Sequence, residues 1–109
     1  MMLPFSIERQ VAPDRVRVVV RGELDVETGP RLQEELRAVE ASPPSTLVLD
    51  LREVSFFDST GLQIVLDAEV RARRQRRVFV VLPGDGEPLR VLELAEVADR
   101  LTLEEPEAA

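Results

Sequence analysis

The sequence predicts an α/β fold built on a mixed sheet of four or five strands with helical crossovers. Short β-branched runs bounded by turn residues read as strands, and stretches with apolar residues at helical spacing separate them. After an initial hairpin the two kinds alternate, which makes the central strands parallel and their crossovers right-handed. A chain of 109 residues, 44% of them hydrophobic, fits one domain at 1–109, ordered over roughly 5–103. At this size roughly two thirds of the unfolded chain's surface is buried on folding.

Residues 16–20, closed by Gly22, form a nearly continuous valine run, with residues 5–11 as an antiparallel neighbour. Ala12-Pro13-Asp14 joins them, and its proline cannot continue a ladder. From Gly29-Pro30 the period changes: Leu32, Leu36 and Val39 recur at i, i+4 and i+7 among charged residues. That predicts a helix at roughly 27–41 with proline in its first turn. Ser42-Pro43-Pro44-Ser45 stops it, and the apolar run at 47–51 reads as a strand buried on both faces. Leu62, Val65, Leu66, Ala68 and Ala72 predict a second helix at roughly 59–75. A third buried strand at 78–82 ends in Pro83-Gly84-Asp85-Gly86. Pro88 then opens a last helix at roughly 87–97, with Leu89, Leu92 and Ala95 on one face. Residues 101–103 read as an edge strand or the helix's continuation, and 104–109 as a frayed acidic tail. The runs at 16–20, 47–51 and 78–82 are expected at the centre of the sheet.

Composition closes most catalytic routes. Cysteine and histidine are absent, and all 14 basic residues are arginine. This removes thiolate chemistry, His-based triads, His-ligated metals and lysine Schiff bases, leaving an enzyme only carboxylate or metal-oxygen chemistry. No cofactor and no metal site is expected, and the chain reads as a binding protein rather than an enzyme. A net charge of −7 disfavours nucleic acid as a partner. The N-terminus lacks a charged segment followed by a long apolar run, so a cytoplasmic protein with no membrane insertion is expected.

The informative stretch is Val54-Ser55-Phe56-Phe57-Asp58-Ser59-Thr60-Gly61-Leu62, where a buried strand passes into a helix through a polar turn. A hydroxyl in a helix's first turn lies beside unpaired backbone N–H groups and the positive end of the dipole, which favours a phosphate. Equally, Asp58 can act simply as a cap with Ser59 and Thr60 filling the first turn.

Residues 55–62 resemble the phosphorylation motif of the anti-sigma factor antagonists, small bacterial proteins of the STAS domain class. Gly22-Glu23-Leu24-Asp25, followed by a polar turn and an amphipathic helix, resembles a second landmark of that family. The resemblance spans about 5–103 and implies a phosphorylation-switched protein that, unphosphorylated, binds an anti-sigma factor that is also a serine kinase and so frees a sigma factor. It assigns phosphorylation to Ser59 and a flanking role to Asp58 and the loop acid Asp25; Thr60 and Gly61 are expected to flank the site as well, and Glu23 to contact the partner. A serine phosphatase is a further candidate partner. The alternative is a STAS subunit of a transport or stress-sensing assembly, with Ser59 mainly part of a cap.

The chain departs from the family pattern at two places. Gln63 and Asp67 stand where small glycines are usual, four and eight residues beyond Ser59 on one helix face, and so are expected to line the partner surface. Glu96 stands where a glycine before an apolar residue is common, which reads as a surface change. Arg71, Arg73, Arg74, Arg76 and Arg77 form the one basic cluster, expected as a solvated helix end because no aromatics interleave it. Asp50 invites comparison with phosphoaspartate receiver domains, but these need a lysine that this chain lacks.

Overall fold

A computed structural model describes residues 4–42 and 44–105; the first three residues, Pro43 and residues 106–109 of the expected tail lie outside it. The element order is β1 (Ser6–Val11), β2 (Arg15–Leu24), α1 (Gly29–Ala41), β3 (Thr46–Phe57), α2 (Ser59–Arg74), β4 (Val78–Leu82) and α3 (Glu87–Leu94), then a turn of 3-10 helix at Ala98–Arg100. The four strands make one sheet in the order β1-β2-β3-β4, with β1 antiparallel to β2 and the β2–β3 and β3–β4 pairs parallel. The hairpin and alternating crossovers stand as expected.

Three expectations change. The strand at 78–82 is not central: β4 is the last full strand, and beyond it only a single parallel bridge joins Val81 to Leu103. That bridge settles residues 101–103 as an edge contact rather than a helical continuation. Gly22 does not close β2, because the strand passes through it at φ 91° and register shifts on either side bring Glu23 and Leu24 opposite Phe56 and Phe57. Such bulges increase the local twist and re-aim side chains. Pairing with this extension carries β3 six residues past the apolar run, to Phe57.

Strand alternation sorts the two faces of the sheet. Val16, Val18, Val20, Leu47, Leu49, Leu51, Phe79 and Val81 join Leu32, Leu36 and Val39 of α1 and Ile64, Val65, Ala68 and Ala72 of α2 in the main core. The opposite face holds a small cluster of Val48, Val80 and Leu82. Charge pairs flank it: Arg21 bonds Glu8 at 3.0 Å and Glu53 at 3.1 Å, and Arg52 holds Asp50 through Nε at 2.9 Å and Nη2 at 2.7 Å. Burial alone pushes the Asp50 carboxyl up, but the bonds from Arg52, with Arg17 nearby, outweigh it and hold the group below its ordinary value. Asp50 is thus a structural ion-pair member.

Candidate functional site

The two sequence landmarks meet at the carboxyl ends of β2 and β3, where parallel pairing sets Leu24 beside Phe57. The residues that follow, Asp25 and Asp58, open the two adjacent loops. Open α/β sheets gather their functional residues at this end.

Asp58 is the N-cap of α2, in extended conformation, and its Oδ1 accepts from the Thr60 backbone N–H at 2.9 Å. Its own carbonyl accepts from Leu62 N–H at 3.0 Å. Ser59 is therefore the first residue of α2, and it is exposed. Gly61 explains why the turn needs a residue without a side chain: a Cβ there would lie 2.7 Å from the Phe57 ring and 3.1 Å from Leu24. The helix can start directly against the strand ends only because that atom is missing.

The neighbouring loop is built by Asp25 and Thr28. The Asp25 carboxylate accepts from the backbone N–H groups of Glu27 at 2.9 Å and Thr28 at 3.1 Å. The Thr28 hydroxyl donates to the Glu23 carbonyl at 2.8 Å and accepts from the Asp25 N–H at 2.9 Å. The Thr28 N–H, followed by that of Glu27, holds the Asp25 carboxyl below its ordinary value. This bracket starts α1 at Gly29, where a Cβ would lie 2.7 Å from the Thr60 methyl and 3.2 Å from Ile64. Gly29 thus lets the first turns of α1 and α2 touch, as Gly61 lets α2 start against the strand ends.

The structure brings Ser59, Asp58, Thr60, Gly61, Asp25 and Glu23 together at this end. Gln63 and Asp67 continue along α2, and Gln63 Nε2 donates to Asp67 Oδ1 at 2.8 Å, which bears out their shared face. Sequence reasoning missed the apolar side chains beside them. Val26, in the Asp25–Thr28 loop, is 73% exposed, Phe56 is 41% exposed, and Val70 of α2 is 47% exposed. The alternation of β3 carried a signal for Phe56, because the neighbouring Phe57 takes the buried side. A cavity of about 660 Å³ opens elsewhere, between Arg52, the 83–85 turn and residues 103–105, and none of the candidate residues lines it.

The basic cluster is less solvated than its composition suggests. Arg71 makes a bidentate pair with buried Glu40 of α1, at 2.7 and 3.0 Å. Arg77 is buried, and its Nε and Nη1 have no hydrogen-bond partner among the described residues. Only Arg73, Arg74 and Arg76 are exposed.

Among the described residues no helix is long and apolar enough to cross a membrane. The family model described as "Mlab, STAS domain" matches residues 7–104. The anti-sigma-B factor antagonist of Listeria monocytogenes is 34% identical over 94% of this chain and 91% of its own length. The anti-sigma-F factor antagonist RsfB of Mycobacterium tuberculosis is 32% identical over 67% of this chain and 69% of its own. The crystal structure of an anti-sigma factor antagonist from Mycobacterium paratuberculosis superposes with a TM-score of 0.80 at 27% identity, covering 95% of this chain and 87% of that one. With a family match across nearly all of its length and relatives of this similarity, the chain belongs to the STAS domain family.

Proposed function

We propose that this STAS domain is an anti-sigma factor antagonist acting in the cytoplasm as a binding protein rather than an enzyme. Unphosphorylated, it binds an anti-sigma factor that is also a serine kinase and thereby frees a sigma factor; phosphate on Ser59 ends the binding, and a serine phosphatase restores it. The observation that carries the reading is the exposed Ser59 hydroxyl at the start of α2, flanked by the Asp58 cap and the Asp25 loop. The names of the relatives support the same reading.

The mechanism follows from charge. A phosphate adds about 1.5–2 negative charges at neutral pH, here into a turn that already holds Asp58, with Asp25 in the adjoining loop and Glu23 near the end of β2. The α2 N-terminus offsets part of that repulsion, so the fold survives and the change is felt at the surface. Exposed Val26, in the Asp25–Thr28 loop, and Phe56, near the end of β3, supply apolar contact area at this end of the sheet, and the new charge raises the cost of desolvating that area against a partner.

Incubation with ATP and candidate anti-sigma kinases, followed by mass spectrometry, tests the site. Phosphate on Ser59 with loss of kinase affinity is expected. Phosphate confined to Thr60, or equal affinity of the two forms, overturns the assignment. A second reading, a STAS subunit of a transport or stress-sensing assembly, draws on the Asp58–Thr60 bond, which gives the polar turn a structural job without any phosphate. No phosphorylation and no kinase binding in that experiment would favour it.

A further inference from the structure

Gln63 is the one uncharged amide side chain on the exposed face of α2 one turn beyond Ser59, and it is tied to Asp67 in the direction away from the serine. Helical side chains lean toward the N-terminus of their helix, and residues four apart meet on its surface. A rotamer change therefore carries the Gln63 amide from Asp67 toward residue 59. The charged groups near Ser59 are acidic: Asp58 at the cap, Asp25 in the adjoining loop and Glu23 near the end of β2. The arginines whose contacts are defined face other groups. Arg31 of α1 lies over the Phe5 ring at 4.9 Å, Arg21 bonds Glu8 and Glu53, and Arg71 bonds Glu40. Asp58 already occupies the Thr60 N–H. A phosphoryl group on Ser59 thus meets a site poor in cations, and Gln63 offers it a side-chain donor.

We propose that Gln63 is a phosphoryl-binding residue of this site: when Ser59 carries phosphate, the Gln63 amide leaves Asp67 and donates to the phosphoryl oxygens. The exchange rests on Ser59 being the modified residue. Its consequence reaches beyond the turn, because Asp67 loses its donor and presents an unshared carboxylate two helical turns from the phosphate. The switch then alters two points on the partner face. A dianionic phosphate at a helix N-terminus is a strong acceptor, so the exchanged bond is charge-assisted like the one it replaces.

The test uses the full chain with phosphoserine installed at position 59 by codon reassignment, so that it does not depend on any kinase. Side-chain amide resonances of Gln63 are followed by NMR through the second phosphate ionisation, alongside the phosphorus signal. Expected are Gln63 amide shifts that track the phosphate and a phosphate midpoint about 0.3 pH unit higher, a twofold change, in the Gln63→Leu variant. Matching backbone spectra show that the variant is folded. Gln63 resonances indifferent to the phosphate, or a phosphate midpoint unchanged in the Gln63→Leu variant, overturns the exchange. Either result leaves phosphorylation of Ser59 standing, since that is decided separately by mass spectrometry of kinase-treated protein.

Discussion

At the scale of the residue, Glu96 is where sequence pattern and backbone disagree most. It was expected as a neutral surface change, yet it holds φ at 59° in the turn that ends α3. Val97 N–H returns to the Leu92 carbonyl at 3.3 Å and Glu96 N–H to Glu93 at 3.1 Å, the paired bonds of a Schellman motif. Arg76 does the same after α2 at φ 55°, with Arg77 N–H on Ala72 at 2.9 Å and Arg76 N–H on Arg73 at 3.2 Å. Left-handed backbone is unfavourable for residues with a Cβ, and glycine relieves it at the expense of a more flexible unfolded chain. Glu96→Gly and Arg76→Gly should each raise stability by about 0.5–1 kcal/mol, read as a higher urea midpoint at unchanged slope. Gly61→Ala should act oppositely. Its new methyl would meet the Phe57 ring of β3 at 2.7 Å, and overpacking of this kind costs about 1–3 kcal/mol. A Gly61→Ala protein as stable as the parent would show that α2 can retreat from the strand ends.

At the scale of the element, the joint between α1 and α2 rests on more than apolar contact. The Glu40 side chain is 5% exposed and that of Arg71 22%, so removing the carboxylate strands a largely buried guanidinium. Glu40→Ala should cost about 1–3 kcal/mol. The Glu40→Leu/Arg71→Leu double variant should lie closer to the parent than either single change, because no charge is left unpaired. Denaturant unfolding of the three variants decides this. Strand β3 gives a pH signature through Asp50. Its folded pKa is lowered, so its contribution is present above the ordinary carboxylate range and fades as pH falls through the folded value. Asp50→Asn should therefore lose stability near neutrality and show a shallower decline below about pH 4. An unchanged acid limb would mean that other carboxylates dominate it.

At the scale of the whole molecule, the fold keeps Ser59 outside its load. The residue is exposed, its neighbours make the turn's hydrogen bonds, and the core runs beneath it through Leu24, Phe57, Ile64 and Val65. Ser59→Ala, Ser59→Asp and the phosphoprotein should therefore melt within a few degrees of the parent, while kinase affinity stays high for alanine, falls for aspartate and falls furthest for phosphate. Calorimetry beside a binding isotherm separates the two effects. A phosphoprotein that loses binding by unfolding would remove the surface mechanism and leave the site. Much of this was readable without coordinates. The order of elements, the start of α2 at Asp58-Ser59 and the shared face of Gln63 and Asp67 depend on periodicity and caps, which are settled within a few residues of chain. The edge position of β4 was not readable, nor the extension of β3, the burial of Arg77 or the Glu40–Arg71 pair. Each depends on which distant segments become neighbours. A buried strand looks alike in sequence whether its next neighbour is a full strand or a single bridge at Leu103, and Gly61 shows its necessity only once the Phe57 ring and Leu24 lie against it. The sequence alone thus determined the local elements and the chemistry at their ends, whereas the close approach of Gly29 to Thr60 beside the Ser59 turn was decided by the parallel pairing of β2 and β3, because chain crossings far apart in sequence leave no local pattern.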